Sequence, residues 1–300
     1  MNVIHSRLPN PGKALRELIS TQSTVVLPGV YDAITARAAA AAGAKALYLS
    51  GAGVTNSRLA VPDIALITLT EMADQANNVC KAAGIPVIAD ADTGFGSTAN
   101  VARCVEEYER SGLAGLHIED QESPKRCGHL SGKRLIEVRE MRAKIRAAAG
   151  ARTDPDFMII ARTDARGVTG IEDAIERAKA YADAGADCIF PEGLKNEREF
   201  VEFRKAVPGP LLANMTEFGQ TELISAERFE ALGYNLVIFP MTAFRVMLKA
   251  VSEAYARLLR TGTQADLLSA MKTREQLYEL IEYPEYEQLD ERLAKEAGEA

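Results

Sequence analysis

Tryptophan is absent from these 300 residues, histidine occurs three times, and the four cysteines include no C-x-x-C pair. Cys80, Cys104, Cys127 and Cys188 are widely spaced, which excludes a zinc site or a disulfide framework as the organising device and makes a reducing compartment the default. No stretch reaches the ~18 consecutive apolar residues of a membrane span, and Met1 to Gly12 has no apolar run of signal-peptide length. A cytoplasmic protein without a membrane partner is therefore expected. Clustered Lys and Arg are also missing, and the net charge is -7, so the basic surface that a nucleic acid requires is excluded. The expected ligand is a small molecule.

Hydrophobic residues make up 47% of the chain and charged residues 26%, the proportions of an ordinary globular protein. Short apolar, β-rich runs recur at Thr24 to Leu27, Ala46 to Ser50, Pro86 to Asp90, Leu116 to Asp120, Met158 to Thr163, Cys188 to Glu192, Leu211 to Asn214 and Leu236 to Pro240. Longer helix-patterned segments separate them; Ala33 to Ala42 stops at Gly43 and Ile171 to Ala184 at Gly185. Apolar strands imply burial on both faces, and intervening helices imply parallel crossovers. This predicts an α/β fold, a (β/α)8 barrel of the TIM type formed as a single domain over residues 1 to 300. An open doubly wound sheet is the competing fold, but no G-x-G-x-x-G turn follows the first strand. Beyond the eighth strand, Ala243 to Leu259 and Gln264 to Tyr283 read as helices, followed by a charged amphipathic end from Glu285 to Ala300. This extension, residues 243 to 300, must pack on something, and a neighbouring subunit is a reasonable partner.

Barrel chemistry gathers at the carboxyl ends of the strands. Here those ends carry Ser50, Asp90 with Asp92, Glu119 with Asp120, Arg162 with Asp164, Glu192, and Asn214 with Thr216. Taken singly each could be a helix cap, the reading preferred for Asp164 and applied also to Asp120. Asp90-Ala91-Asp92-Thr93-Gly94-Phe95-Gly96 offers two hard oxygen donors of the kind that suits Mg²⁺, although D-x-D as a bare pattern is weak. Tyr48-Leu49-Ser50-Gly51-Ala52-Gly53 could turn backbone N–H groups and a hydroxyl towards an anionic carboxylate, or could be a strand ending in a flexible turn. Pro124-Lys125-Arg126-Cys127-Gly128-His129 sets a thiol among two cations and a histidine, surroundings that favour the thiolate; the bland alternative is a surface loop of solvated charges. His117, between apolar neighbours, reads as a core residue, and His129 as the partner that orients or tunes Cys127.

The order Lys-Arg-Cys-Gly-His, the stretch DADTGFG and the tail TREQLYELIEYPEYEQLDERL together resemble the isocitrate lyase and phosphoenolpyruvate mutase superfamily, from about Pro28 to Leu289. The resemblance implies Mg²⁺, with Mn²⁺ as a substitute, held by Asp90 and Asp92, with Glu119 beside it or bound through water and Asp63 close by. It implies that Ser50, Gly51, Ala52, Gly128, Arg162, Glu192, Asn214, Thr216, Arg245 and Arg274 hold substrate carboxylates or support the site. Ala52 departs from the three glycines usual in that loop. Without the resemblance, Arg245 and Arg274 would read as surface ion pairs. Cys127 is implied as general acid, tuned by Lys125, Arg126 and His129, and Tyr48 as the base. The implied activity is cleavage of 2-methylisocitrate to pyruvate and succinate, in the methylcitrate route of propionate breakdown. The implied assembly is a homotetramer that exchanges a C-terminal helix. Isocitrate lyases proper carry tryptophan where this chain has Phe190, and the smaller ring leaves room for an extra methyl worth about 1–3 kcal/mol in selectivity. A 2,3-dimethylmalate lyase, or another 2-hydroxy-acid lyase or decarboxylase, carries similar motifs. A barrel that binds dicarboxylates without catalysis is the alternative from another class; retention of Asp90, Asp92, Lys125, Cys127, Arg162 and Glu192 counts against it.

Overall fold

A computed structural model describes residues 7–22, 24–126, 128 and 132–298. The apolar runs form eight strands: β1 (Val25–Val30), β2 (Leu47–Leu49), β3 (Val87–Asp90), β4 (Gly115–Glu119), β5 (Met158–Thr163), β6 (Cys188–Pro191), β7 (Leu212–Asn214) and β8 (Leu236–Phe239). All pairings are parallel, in the order β6-β5-β4-β3-β2-β1-β8-β7. A bridge between Ile189 and Leu211 joins the two outer strands, and the Ile189 N–H donates to the Pro210 carbonyl at 3.0 Å. The result is the expected TIM-type barrel, nearly closed.

Successive strand residues face opposite ways, and this sorts the core into two layers. Leu47, Leu49, Val87, Ala89, Ile159 and Ala161 pack outward against the helices. Tyr48, Ile88, Ile160 and Phe190 point into the barrel with Val25, Leu27, Leu212, Leu236 and Ile238. Helix α1 (Pro11–Thr21) contributes Leu15, fully buried, to that inner layer and so closes one end of it. The opposite, carboxyl end is left to polar residues.

Helices α2 (Ala33–Ala41), α3 (Gly51–Val54), α4 (Leu69–Ala83), α5 (Thr98–Ser111), α6 (Val138–Ala151), α7 (Ile171–Asp183), α8 (Glu197–Ala206) and α9 (Ala226–Leu232) lie between the strands, α3 and α4 both between β2 and β3. Gly43 and Gly185, at φ 95° and 110°, end α2 and α7 in a conformation that costs glycine least. After β8 come α10 (Thr242–Thr261), α11 (Arg274–Leu280) and α12 (Tyr283–Gly298). The helix expected over Gln264 to Tyr283 is broken. Ala265–Ala270 is a 3-10 turn, and Thr273 starts a new helix by exchanging hydrogen bonds with Gln276 at 2.9 and 3.2 Å. Pro284 sits in the first turn of α12, where its missing N–H is no loss. Val246, Tyr255 and Leu259 of α10 are 66%, 63% and 86% exposed, and α12 buries no residue. Among the described residues no helix is long and apolar enough to cross a membrane.

The helix-cap reading of Asp120 and Asp164 is corrected by the structure. Glu119 and Asp120 are adjacent, so one faces the barrel and the other the helices. Asp120, fully buried, accepts from the Thr163 hydroxyl at 2.8 Å, the Asp164 N–H at 2.8 Å, the Tyr181 hydroxyl at 2.7 Å and Arg177 at 3.4 Å. Asp164 precedes a short 3-10 turn, but its side chain makes no cap bond. Its carboxylate is committed instead to Arg162 and Lys133.

Candidate active site

The polar end of the barrel brings together most of the residues singled out in the sequence. Asp90 ends β3 and receives the Asp92 N–H on Oδ1 at 2.9 Å. Asp92 adopts φ 46°, a left-handed conformation that aspartate tolerates better than bulkier residues. Gly51 lies so close that a Cβ there would stand 2.5 Å from Asp90 Oδ2, so a side chain at the start of α3 would have to displace the Asp90 carboxylate. Ser50 is the cap of α3, accepting from the Gly53 N–H at 3.1 Å, which replaces the flexible turn with a helix start.

Lys125 Nζ stands 2.5 Å from Asp63 Oδ1 and 2.9 Å from Asp92 Oδ1, with its side chain only 3% exposed. Burial alone would lower its pKa, yet Asp92, Asp90, Glu119 and Asp63 raise it well above the usual lysine value. Arg162 lies among three carboxylates. Its Nη1 is 3.2 Å from Glu119 Oε2, its Nε and Nη2 donate to Asp164 at 2.9 and 3.1 Å, and Nη2 is 3.7 Å from Glu192 Oε2. The guanidinium also stacks over Phe190, 5.3 Å from the ring centre. Asn214 donates to Glu192 Oε2 at 3.0 Å.

A cavity of about 60 Å³ at this end is lined by Tyr48, Ser50, Ala52, Asp63, Asp90, Lys125, Gly128, Arg162, Phe190, Glu192, Asn214 and Thr216, among others. That is room for about two waters. Gly128 bounds it tightly: a Cβ there would lie 2.5 Å from both Arg162 Nη2 and Glu192 Cγ. Cys127 and His129 lie outside the described residues. Arg245 donates to the Glu217 carbonyl at 2.9 Å, and Arg274 is exposed at the start of α11; neither lines the cavity.

Two further residues belong to this site. His117, assigned to the core, is fully buried, but its Nε2 is 2.9 Å from the Tyr48 hydroxyl and 3.6 Å from Asp90 Oδ1, while Nδ1 has no hydrogen-bond partner among the described residues. Its place two residues before Glu119 on one strand is the signal that could have found it. Burial, helped by Arg162, pushes its pKa down to about 3, so the imidazole is neutral. Gln121, not singled out, holds both the N–H and the carbonyl of Arg126 at 2.9 Å. Burial, together with Asp90, raises the Tyr48 phenol well above its usual pKa.

Among the described residues, the carboxylates Asp63, Asp90, Asp92, Glu119, Asp164 and Glu192 outnumber the cations Lys125, Lys133 and Arg162 paired with them here, an excess of negative charge. Among the described residues neither carboxylate oxygen of Glu119 accepts a hydrogen bond, Arg162 meeting Oε2 only as an ion pair. Burial, with the neighbouring carboxylates, raises the Asp92 pKa to about 6 and moves Asp90 and Glu119 upward as well. Such a field repels an anionic ligand and suits a divalent cation. Among the described residues no group of three or more His, Cys, Asp or Glu is placed to hold a metal, but Mg²⁺ uses one or two carboxylates and keeps several waters. The donor set fits that ion.

Comparison with known proteins agrees with this arrangement. Residues 15–259, which include all eight strands, match the family model for phosphoenolpyruvate phosphomutase. The chain is 51% identical to a 2-methylisocitrate lyase of Aeropyrum pernix, over 97% of this chain and 94% of the relative. It is 45% identical to a 2,3-dimethylmalate lyase of Eubacterium barkeri, over 91% of this chain and 94% of the relative. A crystal structure of phosphonopyruvate hydrolase with oxalate and Mg²⁺ aligns with a TM-score of 0.83 at 30% identity, over 96% of this chain and 98% of that one. The chain therefore belongs to the phosphoenolpyruvate mutase and isocitrate lyase superfamily.

Proposed function

We propose that this protein is a carbon–carbon lyase that cleaves 2-methylisocitrate into pyruvate and succinate. The observation that carries the reading is the similarity to the Aeropyrum pernix lyase across nearly the whole chain. The assembly proposed is a cytoplasmic homotetramer with an exchanged C-terminal helix; the exposed apolar side chains of α10 and the unburied α12 support it.

In this reading Arg162, a planar fork in a buried setting, faces a substrate carboxylate, and Ser50 and the α3 N–H groups face another. Mg²⁺, or Mn²⁺ in its place, held by Asp90 and Asp92 with Glu119 nearby, would polarise the hydroxyl and carboxylate of the carbon that becomes pyruvate. Tyr48 accepts the hydroxyl proton in its phenolate form; burial and Asp90 oppose that form, and a cation beside Asp90 would offset one of the opposing charges. The C–O bond becomes a carbonyl as the C–C bond breaks, and the electron pair passes to the succinyl fragment as an enediolate. Cys127 then gives its S–H proton to that carbon. Phe190 provides the apolar wall beside the extra methyl.

The test is pyruvate release coupled to lactate dehydrogenase, from 2-methylisocitrate and from 2,3-dimethylmalate, with Mg²⁺ and after chelation, with glyoxylate release from isocitrate in parallel. Fast Mg²⁺-dependent turnover of 2-methylisocitrate is expected. Faster turnover of dimethylmalate would replace the substrate and keep the mechanism, and no turnover of any of them would favour a dicarboxylate-binding barrel. In the same assay Gly128→Ala is expected to lower kcat/KM by roughly 10²-fold, because the added methyl displaces groups that must be placed within an ångström. Wild-type activity in Gly128→Ala would show that this close approach is not used.

A further inference from the structure

Lys133 has no role in the chemistry above, yet it is 7% exposed and lies at the site. Its Nζ donates to Asp164 Oδ1 at 2.8 Å and also to the carbonyl of Gly128. Asp164 is fully buried and is the same carboxylate that grips Arg162 through Nε and Nη2. It is itself aimed by its N–H, which donates to Asp120, and Asp120 is held in turn by Thr163 and Tyr181. One ammonium thus ties the backbone beside Cys127 to the carboxylate that fixes the arginine.

We propose that Lys133 is a positioning residue for the lyase reaction, setting the backbone at Gly128, the chain neighbour of Cys127, against Arg162. A lysine suits the task because its three donors can serve a carbonyl and a carboxylate at once. Burial of the ammonium makes both contacts specific, since a charge cannot be left unpaired in a water-poor interior. The Arg162–Asp164 pair does not depend on Lys133 for its own two hydrogen bonds. Loss of Lys133 should therefore disturb the proton donor more than the grip on substrate. This last expectation rests on the proposed lyase function; the backbone restraint does not.

The experiment compares Lys133→Met, which has no donor, with Lys133→Arg, which keeps charge and donors. Two readouts are used: steady-state kinetics, and hydrogen–deuterium exchange of the peptide covering residues 121–135. For Lys133→Met a kcat lower by about 10²-fold is expected, with KM within about threefold of wild type, and with faster exchange confined to that peptide. Lys133→Arg should recover part of both. Unchanged exchange in Lys133→Met overturns the proposal whatever the enzyme does, and so does a loss of thermal stability with kcat intact. If wild type itself shows no turnover, the lyase reading fails, while the exchange data still decide whether Lys133 restrains Gly128. If Lys133→Met does not fold, Lys133→Arg decides: wild-type exchange and kcat support the proposal, and a uniform rise in exchange across the chain overturns it.

Discussion

Arg162→Met is expected to remove nearly all activity and to destabilise the barrel. The guanidinium is buried among Glu119, Asp164 and Glu192, at 2.9 to 3.7 Å, and lies over Phe190. Methionine fills much of the volume but leaves three carboxylates without their shared cation, Asp164 keeping its ion pair with Lys133. Breaking a buried ion pair by removing one partner costs about 3–5 kcal/mol, or a fall in Tm on the order of 10 °C for a chain of this size. On the kinetic side, loss of a buried charged contact to a substrate carboxylate predicts a drop in kcat/KM of about 10³-fold.

The sign of the pH dependence follows from Asp164. Burial raises its pKa, but Arg162 and Lys133 outweigh that and hold it below the ordinary value. A carboxylate depressed in the folded state contributes stability above its unfolded pKa of about 4 and loses it as the pH falls. That contribution is the one Arg162→Met removes. The stability gap between wild type and variant should therefore be full at pH 7 and down to about 4, and narrow as the pH is lowered below that value. Denaturant midpoints across that range check it, and a gap that widened in acid would refute the assignment. Turnover within tenfold of wild type would show that Arg162 is structural and that another group binds the carboxylate.

Cys127→Ser is expected to lower kcat by 10² to 10⁴-fold, the usual contribution of a positioned general acid. No other thiol can take the role: Cys80, Cys104 and Cys188 are buried in the core, where burial pushes their pKa values up, that of Cys80 to about 12. Serine keeps the shape but is a much weaker acid at neutral pH. If the thiol acts after the C–C bond has begun to break, KM and the Mg²⁺ requirement should change little. Steady-state kinetics with saturating Mg²⁺ separate these quantities. A kcat within a few-fold of wild type would transfer the proton-donor role to another group.

Much of this architecture was readable in advance. Each expected strand window overlaps a strand, although β1 runs on to Val30 and β4 begins at Gly115, because burial on both faces writes a continuous apolar run into a parallel strand. The breaks at Gly43 and Gly185 are equally local, since a positive φ is a property of one residue. The C-terminal misreading had a local cause too: Thr273 with Gln276 is a helix start, and apolar periodicity across Gln264 to Tyr283 hid it. Arg245 and Arg274 matched family motifs, yet neither side chain lines the cavity in the single chain.

The sequence by itself determined the barrel, the strand ends as the place of chemistry, and the types of group assembled there: carboxylates, a lysine and an arginine. These follow from periodicities of two and 3.6 residues, which neighbours in the chain decide. Only the tertiary structure decided which charges meet. It turned Asp120 outward to Tyr181 and Arg177, set Lys133 against Asp164, brought His117 to Tyr48, and joined Lys125 to Asp63 across 62 positions of sequence. Ion pairing depends on distance in space and on burial, and both are set when the ring of strands closes and its loops fold over one end.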